Sequence, residues 1–177
     1  QQSVKGIQPA WVHRYLDAGK PDRIVDLGRM NRFKSHLPLV MRPDLLLTAD
    51  GVRVTELDSV PGGIGFTGQI SRLYADIGYD IVGGGDGLVR GLYEAIRSSF
   101  PHDEPVVAVV VSDESEAYRE EFEWLAGHLR NEGLPVHCCH PKDLHVDDDG
   151  ILVSDGYSRT RIDVVYRFFE LFDLANI

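Results

Sequence analysis

Arg42, Asp44, Glu56 and Asp58 fall in a pattern that suits cation chemistry. Met41 to Thr48 and Val52 to Asp58 carry the residue types of two strands, and Ala49-Asp50-Gly51 between them is a turn signal. With a three-residue loop and Gly51 in the left-handed region, Thr48 pairs with Val52, Asp44 faces Glu56 and Arg42 faces Asp58. Alternation then projects all four ionic side chains from one face, with Leu45, Leu47, Thr55 and Leu57 on the other. A two-residue loop would set Asp44 against Leu57 and mix the faces, so the pattern favours the longer turn. Like charges directly across a strand pair repel, and Arg42 is one positive charge against three negative. A hard divalent ion such as Mg²⁺, which takes carboxylate and phosphate oxygens, would balance the remainder. The plainer alternative is a solvated ionic face with an Arg42–Asp58 surface pair, contributing about 0–1 kcal/mol.

Other candidates carry less chemistry. The run Ser59-Val60-Pro61-Gly62-Gly63-Ile64-Gly65 leads from the carboxylate strand towards a helix, and backbone N–H groups around Gly62 and Gly63 are placed to receive a phosphate or carboxylate. A turn that only redirects the chain is the alternative. Gly83-Gly84-Gly85-Asp86-Gly87 lacks the G-x-G-x-x-G spacing of a dinucleotide fingerprint and reads as a cap or loop. After the apolar strand Val106–Val111, Ser112-Asp113-Glu114 would repel a pyrophosphate rather than cradle it. His137, His140 and His145 with Cys138 and Cys139 are the nearest approach to a soft-metal cluster, but paired spacings such as C-x₂-C are missing, so the thiols read as packing groups on a partly buried strand. There is no G-x-S-x-G elbow, which argues against triad hydrolysis.

Composition sets the outer bounds. A formal net charge of -10 with only four lysines, Lys5, Lys20, Lys34 and Lys142, argues against a nucleic-acid footprint. The longest apolar run, Val106–Val111, is far short of the roughly 20 residues that span a bilayer, so no membrane partner is expected. Adjacent cysteines are badly placed for a structural disulfide and no secretory leader is recognisable, which together point to a cytoplasmic location. An apolar composition of 43% is that of an ordinary globular chain.

The elements that must position these residues are of mixed type. Trp11, Val12, Tyr15 and Leu16 space a short helix over 9–18, and a polar, poorly periodic stretch follows. Past Pro61-Gly62-Gly63, the set Ile70, Leu73, Tyr74 and Ile77 predicts a helix ending at Gly78, and Leu88, Leu92, Tyr93 and Ile96 predict another. From Pro105 a β-α-β unit is expected: strand 106–111, a helix capped by Ser112 or Asp113 with a stripe of Tyr118, Phe122, Leu125 and Leu129, and strand 134–140. Residues 146–152 read as a tight hairpin and 162–169 as a last strand. The fold class is α/β, with one lobe over 1–104 built around the carboxylate hairpin and a Rossmann-like βαβ unit over 105–177.

Arg42-Pro43-Asp44, eleven intervening residues, then Glu56-Leu57-Asp58-Ser59 resembles the metal-binding strands of the circularly permuted, glutathionylspermidine synthase-like ATP-grasp family. There the pattern is Arg-x-Asp, the same interval, then Glu-x-Asn; Asp58 is the departure, and it leaves the substrate class open. Ile162-Asp163-Val164-Val165-Tyr166-Arg167 is also similar to a segment of these proteins. The resemblance implies Asp44, Glu56 and Asp58 as Mg²⁺ ligands and Arg42 on the transferring phosphate; Gly62 and Gly63, through the backbone N–H groups noted above, and Arg167, in the second similar segment, are the expected ATP-cofactor contacts. It implies an ATP-dependent ligase joining a carboxylate to an amine, completed by an ATP-grasp lobe expected beyond Ile177, so that this chain alone should be inactive. A non-catalytic module binding a small molecule or nucleotide is the alternative.

Overall fold

In the computed structural model, residues 9–33, 35–101, 104–154 and 158–169 are described. They fall in two compact units, one within residues 1–38 and the other Leu39–Phe169. In the first, helix α1 (Ala10–Asp17) is followed at left-handed Gly19 by a second helix, α2 (Asp22–Gly28), and Arg29 ion-pairs with Asp17. Helix α2 lies in the stretch that periodicity left unassigned, because it buries no residue fully and so carries little apolar signal.

The second unit is built around strand β3 (Val107–Val111), fully buried and paired in parallel with β4 (Val136–Cys139) on one side and β8 (Val164–Phe168) on the other. Alternation divides its side chains. Val107, Val109 and Val111 pack with residues of helices α4 (Gly87–Arg97) and α5 (Arg119–Asn131), including Val89, Leu92, Phe122 and Leu125. Ala108 and Val110 pack instead with Val153 and Ile162 from an antiparallel sheet of β5 (Leu144–Asp147), β6 (Gly150–Ser154) and β7 (Arg159–Ile162). A strand covered on both faces needs an unbroken apolar run, and each buried valine contributes about 1.5–3 kcal/mol. The chain is therefore of α/β class. Its first core cluster draws Ile64, Val89 and Leu92 from before residue 104 and Val107, Phe122 and Leu125 from after it.

Several local expectations are corrected. Helix α3 (Ile64–Asp76) lies where it was expected, while its buried residues are Ile64, Gly65 and Gly68, with Leu73, Tyr74 and Ile77 exposed. Glycines let it approach its neighbours closely, since a Cβ on Gly65 would lie 2.2 Å from the backbone oxygen of Glu121, and one on Gly68 2.4 Å from Val89. In α4 the inner face takes Val89, with Leu88 outside. Ser112 makes no cap hydrogen bond: a 3-10 helix, Asp113–Tyr118, intervenes before α5, and the Ser112 hydroxyl is enclosed without a hydrogen-bond partner. The run 162–169 breaks at Asp163, where the chain passes from β7 to β8, and the Asp163 carboxylate accepts the Val106 N–H at 2.9 Å. Among the described residues no helix is long and apolar enough to cross a membrane.

Candidate functional site

Strands β1 (Arg42–Thr48) and β2 (Gly51–Asp58) form the expected hairpin, with Arg42 opposite Asp58, Pro43 opposite Leu57 and Asp44 opposite Glu56. The turn differs. Thr48 faces Gly51 across a two-residue loop, Ala49-Asp50, and the register shifts between Asp44 and Leu45. Thr55 is the additional residue of this bulge, and its hydroxyl donates to the Asp44 carbonyl oxygen at 3.1 Å. Beyond the bulge Leu45 faces Val54 and Leu47 faces Val52, whereas a straight ladder would set these leucines against Thr55 and Arg53. The bulge reconciles two registers, one that pairs the ionic end and one that pairs aliphatic side chains near the turn. Those aliphatic groups remain more than half exposed, Leu47 at 81%.

Arg42 organises the ionic end. Its Nε lies 3.3 Å from Asp44 Oδ1, its Nη2 lies 3.5 Å from Asp58 Oδ2, and its Nη1 donates to the Gly62 carbonyl oxygen at 3.0 Å. Asp58 Oδ1 accepts the Val60 N–H at 2.9 Å, which fixes the turn leaving β2. Glu56 completes the carboxylate set from an exposed position across from Asp44. With these side-chain positions the three carboxylates do not offer oxygens that all lie within 4.8 Å of one another; the guanidinium, rather than a shared point, lies between Asp44 and Asp58. The donor chemistry still suits a hard cation, because Asp44 and Glu56 face solvent and rotate without disturbing the core.

Behind the hairpin stands Tyr166, whose hydroxyl is enclosed without a hydrogen-bond partner. Burial, and then the charge of Asp58, push its phenol up to about 12. Arg167, the next residue on β8, points to the opposite face of its strand; its guanidinium bonds the Phe169 carbonyl oxygen and lies 5.4 Å from that ring's centroid. The structure does not bring Arg167 into contact with the hairpin carboxylates.

Gly62 and Gly63 lead into α3 as expected, Gly63 at φ 82°. The N–H groups at this helix start are already occupied: Glu121 of α5 accepts Gly63 N–H at 2.6 Å through Oε1 and lies 3.3 Å from Phe66 N through Oε2. At this helix start it is a carboxylate of the same chain that takes the N–H groups. An apolar pocket of about 300 Å³ opens beside Arg42, lined by Val40, Met41, Pro61, Ile64 and Leu88.

A second ionic cluster was not anticipated. Asp86, in the glycine run assigned to a loop, stands at the N-cap of α4 but makes no capping hydrogen bond. Its Oδ1 lies 3.2 Å from Nε2 of His128, which in turn lies 3.4 Å from Glu132 Oε1. Arg72 reaches Asp86 at 3.3 Å, Arg90 reaches Glu132 at 3.0 Å, and Trp124 stacks on the His128 ring with centroids 5.3 Å apart. The available signal was the four-residue spacing of His128 and Glu132 on one helix face.

His140, with Asp143, forms a capping box on the short turn Pro141–Asp143, and its Nε2 lies 3.1 Å from Asp113 Oδ1, so it ties that turn to the 3-10 helix after β3. Burial pushes the Cys138 thiol up to about 11 and, with the neighbouring Cys138 charge, Cys139 up to about 12, which suits packing rather than reactivity. Compared with known proteins, the chain matches no protein-family model and no curated sequence.

Proposed function

We propose that the face carrying Arg42, Asp44, Glu56 and Asp58 holds a divalent cation and the phosphates it accompanies, as the metal-binding half of an ATP-dependent ligase that joins a carboxylate to an amine. The observation that carries this reading is the register: Asp44 directly across from Glu56, with Asp58 beside Arg42 on the same face, concentrates three negative charges against one positive. Mg²⁺ would supply charge neutralisation for phosphoryl transfer. The chain's own part is to offer carboxylate oxygens from Asp44, Glu56 and Asp58 and to present Arg42 to the transferred phosphoryl group. With Glu121 seated on the first turn of α3, the phosphates meet Arg42 rather than that helix start.

A second reading, a non-catalytic module for a small molecule or nucleotide, is favoured by one observation: Arg42 already pairs with both Asp44 and Asp58, so the face needs less compensation than its formal charge suggests. Mg²⁺ titration of the wild type and of Glu56→Gln separates the two. On the ligase reading the substitution abolishes Mg²⁺ binding and leaves stability in chelator unchanged or slightly higher, because a repulsion across the strands is removed. A Glu56→Gln protein that is clearly less stable in chelator and binds Mg²⁺ as before assigns Glu56 to a structural ion-pair network and ends the metal reading.

A further inference from the structure

We infer that Asp86, His128 and Glu132 form a binding site for a single transition-metal ion of zinc type, separate from the hairpin, with Arg72 as the cation that holds the site when no metal is bound. Three ligand atoms, one from each residue, all lie within 4.8 Å of one another. Two ligands held about 2.0–2.1 Å from a tetrahedral Zn²⁺ stand about 3.3–3.4 Å apart. The His128 Nε2 separations of 3.2 Å to Asp86 Oδ1 and 3.4 Å to Glu132 Oε1 match that edge. One imidazole nitrogen with two carboxylates is a borderline donor set, which selects Zn²⁺ over Mg²⁺.

Burial supplies an independent argument. The His128 and Glu132 side chains are 13% and 18% exposed, and Asp86 Oδ1 and Glu132 Oε2 are enclosed oxygens with no geometrically acceptable hydrogen bond. A proton on Nε2 serves one carboxylate well; it cannot serve both Asp86 and Glu132, which approach the same nitrogen. Each carboxylate has a guanidinium beside it, Arg72 at 3.3 Å from Asp86 Oδ1 and Arg90 at 3.0 Å from Glu132 Oε2, and a metal ion at the common centre would supply the direct bond that neither carboxylate makes there. The ring is also fixed in orientation, since Trp124 lies parallel to it within 3°.

Arg72 Nη1 lies 2.6 Å from His128 Nδ1, 2.8 Å from Nε2 and 3.3 Å from Asp86 Oδ1, so it stands where the ion would. A neutral imidazole has one acceptor nitrogen, and accepting from Arg72 at Nδ1 requires the proton on Nε2, the nitrogen the metal needs. Arg72 and metal are thus mutually exclusive partners. Its side chain is 41% exposed and can withdraw to solvent, leaving Arg90 on Glu132.

The experiment is calorimetric titration of the metal-stripped protein with Zn²⁺, in wild type and single variants, with far-UV circular dichroism and thermal melts in EDTA as folding controls. The site reading expects one Zn²⁺ per chain, tenfold or greater weakening in His128→Gln and in Glu132→Gln, and several-fold tightening in Arg72→Gln. Asp44→Asn, on the hairpin, should bind Zn²⁺ as the wild type does, so this result stands or falls apart from the Mg²⁺ titration. Should His128→Gln fail its folding control, Glu132→Gln and Arg72→Gln decide. Zn²⁺ binding that survives both ligand substitutions, binding lost only on replacing Cys138 or Cys139, or no binding by either wild type or Arg72→Gln would each overturn the proposal and leave a plain ion-pair network.

Discussion

The carboxylate of Glu121 accepts the backbone N–H of Gly63 at 2.6 Å, so the side chain of one helix closes the first turn of another. Glu121 also lies in the first turn of its own helix, α5, and its negative charge is favoured by two helix N-termini at once. Glu121→Ala should cost about 1–2 kcal/mol, the usual loss for a removed N-cap acceptor, with Glu121→Gln losing less because an amide oxygen still accepts. The vacated position should then take a free anion, so sulfate should raise the melting temperature of Glu121→Ala more than that of the wild type. Equal sulfate effects in both would show that the position is not an anion site.

Two glycine-to-alanine changes should act with opposite sign. Gly65→Ala drives a methyl group into the Glu121 backbone oxygen, 2.2 Å away, and should cost about 3 kcal/mol as α3 and α5 separate. Gly91 lies within α4 and has nothing within 4 Å of a built Cβ. Gly91→Ala should stabilise by about 0.5–1 kcal/mol. Urea melts of the two variants check both.

Stability should fall in alkali. Cys138, Cys139 and Tyr166 are pushed up from 9.0, 9.0 and 10.0 to about 11, 12 and 12, in each case chiefly by burial, and burial also raises Tyr93. The unfolded chain therefore gives up these protons first. The contribution is fully present below about pH 9 and is lost as pH rises towards about 12, by at most about 1.4 kcal/mol per pH unit for each group and less for the partly solvated thiols. Denaturant melts at increasing pH should show this decline, and the buried Cys139 should label with a disulfide reagent more slowly than Cys138 in the folded protein.

Arg42→Gln gives a further sign test of the hairpin. Removing a half-exposed ion pair should cost about 0–1 kcal/mol. Free of the guanidinium, Asp44 and Asp58 should bind Mn²⁺ several-fold more tightly in the absence of phosphate, while affinity for the Mn²⁺–ATP complex should drop. Water-proton relaxation on Mn²⁺ titration reads both. Weakening of the bare ion as well would mean that Arg42 positions the carboxylates instead of competing with the cation.

How much of this was legible follows from what each signal depends on. The β3 run Val107–Val111 was plain in the sequence because burial on both faces leaves no polar positions. The ionic register was legible from Arg42, Asp44, Glu56 and Asp58 because alternation is strict, but the bulge at Thr55 was not, since a straight ladder with a longer turn satisfies the same four residues. The set Ile70, Leu73, Tyr74 and Ile77 located α3 but not its packing, because the close contacts are made by Gly65 and Gly68, which carry no hydrophobic signal. The Asp86–His128 contact joins positions far apart in the chain, and local spacing is blind to it.

The bulge at Thr55 also partitions the hairpin for sequence change. Because the extra residue lies between the turn and the Asp44–Glu56 pair, it acts as a slack link between two halves that obey different spacing rules. Shortening the turn by one residue can be absorbed there by straightening the ladder, Thr55 taking a place in the pairing while Asp44 and Glu56 keep each other and only the Leu45–Thr48 half trades neighbours. Drift at the tip of this hairpin is thereby insulated from its charged base, and the two ends are free to evolve at different rates.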